Sequence, residues 1–152
     1  MKNNKGFIEL KSVSDYWKKL LFDYTELKKR DNDTYIAFNF FVTAYHLLDW
    51  VFEGNYSDER TELNKEPILK ICSHIANGIK HFEPKRHNSV KKIKKKGLYE
   101  EGFYEEGFYE NPIIIYIDDD FISDIGNSIR ISDLAQMVIE FWEKELKKRN
   151  LI

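Results

Sequence analysis

The residues best suited to chemistry fall on two helical faces. A helical projection over positions 34–53 aligns Asn39, Thr43, His46 and Trp50, with Asp49 beside them. The same projection over 67–82 aligns Lys70, His74, Asn77 and His81. Both lines lie opposite the apolar stripes of their segments. Elsewhere the polar faces are written in Lys and Glu; His, Asn and Trp suit a groove or a partner surface better than open water. Asn77 and His81 are four apart and so stack on one helix face. Imidazole titrates near pH ~6.5, which lets a histidine give and take protons at neutral pH. Next to His81 the chain turns basic, with Lys80, Arg86, Lys91 and Lys92 among the cations of 80–96.

Asn77 and His81 resemble the signature-helix pair of HEPN domains, and that resemblance implies RNA chemistry. Cleavage needs a base for the 2′-hydroxyl and a cation at the phosphate. His81 would be the base or acid, with Asn77 and His46 beside it. Lys80 or Arg86 would supply charge, and the lysines beyond would neutralise phosphates. Two other classes compete. In a metal-dependent hydrolase, His46, Asp49, His74 and His81 would be ligands from neighbouring helices. Neither an HExxH nor an ExxH spacing occurs, so no metal and no cofactor are expected. Asp118, Asp119 and Asp120 could hold a hard cation or simply form a turn. In the third class the polar lines form a protein interface, and the chain is a non-enzymatic adaptor or immunity module.

The segment Ile75-Ala76-Asn77-Gly78-Ile79-Lys80-His81-Phe82 resembles the signature helix of HEPN domains (higher eukaryote and prokaryote nucleotide-binding). The family motif is an Arg, often followed by Asn, then a His after four to six residues. Asn77 and His81 stand at matching places, and Ala76 holds the place of the Arg. The resemblance covers this helix and the general all-helical layout. It implies a helical bundle that dimerises. It also implies a metal-independent endoribonuclease, or an RNA-binding module derived from one, in a bacterial or phage defence or toxin system.

The elements that must position these residues follow from periodicity. Val13, Tyr16, Trp17, Leu20, Leu21, Tyr24 and Leu27 recur at three- and four-residue steps, predicting a helix over Val13–Arg30. Ser12 and Asp15 read as its N-cap and acidic N3 partner; Lys28, Lys29 and Arg30 suit its C-terminal dipole. A second helix over 34–53, stopping at Gly54, is apolar over most of its circumference and should be central. A third starts at Pro67, well placed for a first turn, and runs to Phe82. A fourth follows Ser132 and ends near Arg149. Ile113-Ile114-Ile115-Tyr116-Ile117 reads as a strand pairing with Ser128–Ile131. The expected fold is thus mostly α, a four-helix bundle with a small β-hairpin before the last helix. Phe40, Phe41, Leu47, Leu48, Ile71, Ile75 and Ile79 should be buried.

Between the third helix and the hairpin, positions 85–111 read as an inserted loop, first basic and then acidic and aromatic. Its second half is a tandem repeat, Gly-Leu-Tyr-Glu-Glu, Gly-Phe-Tyr-Glu-Glu, Gly-Phe-Tyr-Glu, over 97–110. A period of five matches neither helix nor strand, so a mobile loop is expected.

Composition sets the outer bounds. The 152 residues fit one domain. With 42% hydrophobic and 15% aromatic residues the chain has ample material for a core. A net charge of −2 gives no global field toward nucleic acid or membrane, so any RNA affinity must be local. No apolar stretch approaches the ~20 residues of a membrane span, and no signal core opens the chain. Cys72 is the one cysteine, which excludes an internal disulfide. A cytoplasmic protein is the expectation.

Overall fold

The computed structural model describes residues 5–80, 88–95 and 111–152, except the side chains of Ile79 and Lys80. Among them six α-helices and one three-stranded antiparallel sheet form a mostly helical fold. No described helix is long and apolar enough to cross a membrane.

Helix α1 spans Val13–Lys29. It opens on the expected capping box: Ser12 accepts from the Asp15 backbone N–H at 3.1 Å, and Asp15 accepts from the Ser12 backbone N–H at 3.0 Å. Helix α2, Thr34–Val51, starts where Asp33 accepts from the N–H groups of Tyr35 and Ile36. It touches α1, α4 (Pro67–Lys80) and α6 (Ile131–Lys148), so it is central, as its apolar breadth predicts. Phe40, Phe41, Ala44 and Leu47 are wholly buried, as is Ile71 of α4, while Leu48 and Ile75 are nearly so. Trp142 of α6 lies in the same core and donates from Nε1 to the Ala44 carbonyl at 3.0 Å. Cys72 is buried among these residues, and burial pushes its thiol up from its ordinary range.

Two elements depart from the expectation. Helix α3, Asp58–Leu63, has no apolar stripe to announce it and no buried residue. Ser57 caps it, and ion pairs hold it: Arg60 to Asp49 of α2, and Glu59 to Arg149 beyond α6 at 2.6 Å. The second departure is in the basic segment. Val90–Lys95 is not loop but strand β1, antiparallel to β2 (Ile113–Ile117), which in turn pairs with β3 (Ser128–Arg130). The expected hairpin is therefore the inner and one outer strand of a three-stranded sheet. Lysine is a poor strand former, but Val90 tucks into the core and β2 supplies a β-branched partner. The repeat over 97–110 lies outside the described residues.

The sheet's inner face, Ile113, Ile115 and Ile117 with Val90, is buried against the helices. Asp31, in the α1–α2 connection, ties the sheet to α6: it accepts from Arg130 and from Ser132 Oγ at 3.0 Å.

Candidate nucleic-acid interface

The two projected lines meet different fates. On α2 the line divides, because α2 has neighbours on both sides. Thr43 is buried toward α1, where its hydroxyl donates to Asp23 at 2.7 Å and Lys19 completes the cluster. Trp50 stacks on Tyr16 of α1, with ring centroids 4.7 Å apart. Neither lines the groove that His46 and Asp49 share, which corrects the expectation of one free polar strip. The reason is geometric: α1 packs against one side of α2 and takes Thr43 and Trp50 with it, while His46 stays exposed.

His46 and Asp49 turn the other way. With Asn77 of α4 they line a groove of about 530 Å³ between α2, α3 and α4. Arg60 and Tyr56 form its far wall, Tyr56 being 88% exposed with the Arg60 guanidinium 4.2 Å from its ring centroid. Arg60 neutralises Asp49. Asn77 spends its amide N–H groups on Ser73 of its own helix, at 2.8 Å to the carbonyl and 3.3 Å to the hydroxyl. His46 is exposed, its ring 5.9 Å from that of Tyr45.

His74 is not part of this groove. Its Nδ1 accepts from the backbone N–H groups of Ser89 at 3.1 Å and Val90 at 3.3 Å. The Ser89 hydroxyl donates to the Lys70 carbonyl at 3.1 Å. His74 thus pins the start of β1 to α4, and it also lines the cleft between them. The ring holds its proton on Nε2, because an acceptor nitrogen carries none. His81 and Arg86, and the side chain of Lys80, lie outside the described residues. Among the described residues no three His, Cys, Asp or Glu side chains gather to hold a metal. Asp118 caps a turn through the Asp120 N–H, and Asp119 pairs with Lys91 at 2.5 Å.

Lys91 and Lys92 sit on β1. A bulge at Lys91 shifts the register so that Lys92 faces Tyr116 and Lys94 faces Ile114 on the sheet's outer side. The two ammonium groups lie 4.6 and 5.4 Å from the Tyr116 ring centroid. Aromatic surface and unburied cations thus share one face. Sequence reasoning missed Tyr116, Arg60 and Tyr56. The signal for Tyr116 was present: it is the one aromatic in the isoleucine run, at an outward position.

A second cleft, of about 390 Å³, separates β1 from α2 and α4. It is apolar, lined by Phe41, Ile75, Val90, Ile93 and Ile115 and rimmed by Lys91 and Lys92. Phe38, 43% exposed, lines this cleft and the polar groove alike. No family model, no curated protein and no solved structure matches the chain.

Proposed function

We propose that this chain is an RNA-binding module of HEPN-like bundle type, working inside the cell, and that single-stranded RNA lies across the outer face of its sheet. The observation that carries the reading is Tyr116 with Lys92 and Lys94 around its ring. A base can stack on such a ring while phosphates on either side meet the ammonium groups. Lys91 is engaged by Asp119 and contributes less. A homodimer would double this face and add avidity.

Fluorescence anisotropy with a labelled 12-nucleotide single-stranded RNA tests the reading. Two lysine–phosphate contacts, from Lys92 and Lys94, at about 0.7 each predict a slope of about −1.4 in log K against log salt. Tyr116→Ala should weaken binding by about tenfold or more, the size of one lost base stack. Lys92→Glu with Lys94→Glu should abolish it. Lysines on an edge strand also guard against unwanted strand pairing. If that is their whole role, no salt-dependent RNA binding is seen and the proposal fails. If bound RNA is cut in the presence of EDTA, the residues to replace first are His46, Asn77 and His81.

A further inference from the structure

The outer sheet face leaves the apolar cleft between β1 and the two helices unused. We infer that this cleft receives an extended, acidic peptide carrying bulky apolar side chains, which adds a strand to the open edge of β1.

Three observations point to that occupant. First, β1 is an edge of the sheet, paired only to β2 among the described strands. An edge offers a row of N–H and C=O groups, and β-addition uses that row for affinity and pockets for alternate side chains for specificity. Second, the pocket is beside the edge: Phe38 and Ile93, 43% and 47% exposed, line it together with Ile75 and Phe41. Their apolar surface rewards side chains from an incoming strand. Third, the rim is cationic. Lys92 lines the cleft, with Lys91 beside it paired to Asp119, and Lys95 is exposed at the strand's end. An acidic chain is steered to such a rim and a basic one is repelled. A strand the length of β1 spans ~17–20 Å, so a peptide of about that extent fills the edge. Lys92 borders both sites; the apolar lining of the cleft lies apart from the outer face, to which RNA binding is assigned.

The probe is a fluorescent peptide, Gly-Phe-Tyr-Glu-Glu-Gly-Phe-Tyr-Glu, which carries both required chemistries and repeats residues 102–110 of this chain. Anisotropy titrations are run on the full chain. Because the chain carries the same chemistry itself, they are repeated on a variant with Glu100, Glu101, Glu105, Glu106 and Glu110 all changed to Gln. Saturable binding to either protein is expected, with tighter binding to the second counting for the cleft as well. The peptide with Gln in place of Glu should bind at least about tenfold more weakly, and more so at low salt. Phe38→Ala should weaken binding by about tenfold, as loss of a pocket anchor does, while leaving RNA affinity unchanged. Amide protons of β1 should become protected from exchange when peptide is bound.

The inference is overturned if neither protein binds the peptide, or if binding ignores both the Glu→Gln peptide change and Phe38→Ala. It is also overturned if a concentration-dependent dimer protects the same β1 amides, since that assigns the cleft to a second copy. Tyr116→Ala separates the two readings: it should remove RNA binding and spare peptide binding.

Discussion

Helix α2 has two long seams, and they are built in opposite ways. Against α1 the seam is shut. Asp23, 4% exposed, takes hydrogen bonds from Thr43 and Lys19, and Tyr16 lies flat on Trp50. The polar groups buried at this seam, Asp23 and Thr43, meet each other across it. Against α4 and α3 the seam stays open. His46 and Asn77 line the same groove without bonding one another, Asp49 reaches across to Arg60, and Phe38 is left partly bare. Polar residues on a helix therefore do not by themselves mark a site. What matters is whether the neighbouring helix answers them.

Substitution at the shut seam should have the largest effect. Asp23→Ala leaves Lys19 without its carboxylate and Thr43 with the Asn39 carbonyl, at 2.8 Å, as its acceptor. Lys19 is partly exposed and can turn to water, so a loss of about 2 kcal/mol is expected rather than the full cost of breaking a buried pair. His46→Ala, on the open seam, should stay within ~0.5 kcal/mol. Urea unfolding of both variants measures the contrast. Equal losses would erase the distinction between the seams.

Next in size is His74, which closes the junction of α4 with β1. His74→Ala removes one acceptor from two backbone donors, and a loss of about 1–2 kcal/mol is expected. The change should fall on the strand: amide exchange of Val90 and its neighbours in β1 should speed up, while α1 and α2 stay protected. Uniform acceleration throughout the molecule would show that β1 is part of the global cooperative unit instead.

The smallest effect concerns Tyr16 and appears only in alkali. Burial first, then the carboxylates of Asp23 and Asp49, push its hydroxyl from 10 up to about 12. Between those values the unfolded chain gives up this proton and the folded protein keeps it. The stability involved is thus complete below pH 10 and lost as pH rises through 12. Two units at 1.36 kcal/mol set an upper bound, and partial exposure of the ring lowers it to about 1–2 kcal/mol. Tyr16→Phe should accordingly flatten the fall of stability from pH 10 to 12. A slope unchanged from the parent protein would mean that the ring is more hydrated than its stacking on Trp50 implies.

Much of the frame was legible in the residues. Ser12 with Asp15, and Pro67 at a first turn, mark helix starts through local chemistry that needs no tertiary partner. The pairing of 113–117 with 128–130 follows from two β-branched runs near one another in the chain. The rest depended on neighbours. Helix α3 is held by Arg60 and Arg149 reaching to carboxylates on other elements, and no periodicity within Asp58–Leu63 encodes that. Strand β1 reads as a charged linker until β2 is placed beside it. The candidate site divided in the same way. A projection put His46 and Asp49 on one side of α2, and they do share a groove with Asn77. It also put Thr43 and Trp50 with them, because one helix drawn alone does not show where its neighbours stand. The use of His74 as an acceptor depends on Ser89, fifteen residues later in the chain, beyond the reach of any local pattern.

The bulge at Lys91 acts as a tolerance for length. Val90 and Ile93 are three apart, a spacing that would send them to opposite faces of a regular strand, yet both line the inner cleft. The extra residue absorbs the mismatch. A chain lacking Lys91 would read Val-Lys-Ile-Lys-Lys, which alternates correctly without any bulge and gives up the contact with Asp119 and one side chain at the cleft rim. One residue gained or lost between Lys92 and Lys95 would instead exchange inside for outside, turning lysines toward the core and an isoleucine toward water. Across natural variants of this chain, insertions and deletions in β1 should therefore be confined to position 91.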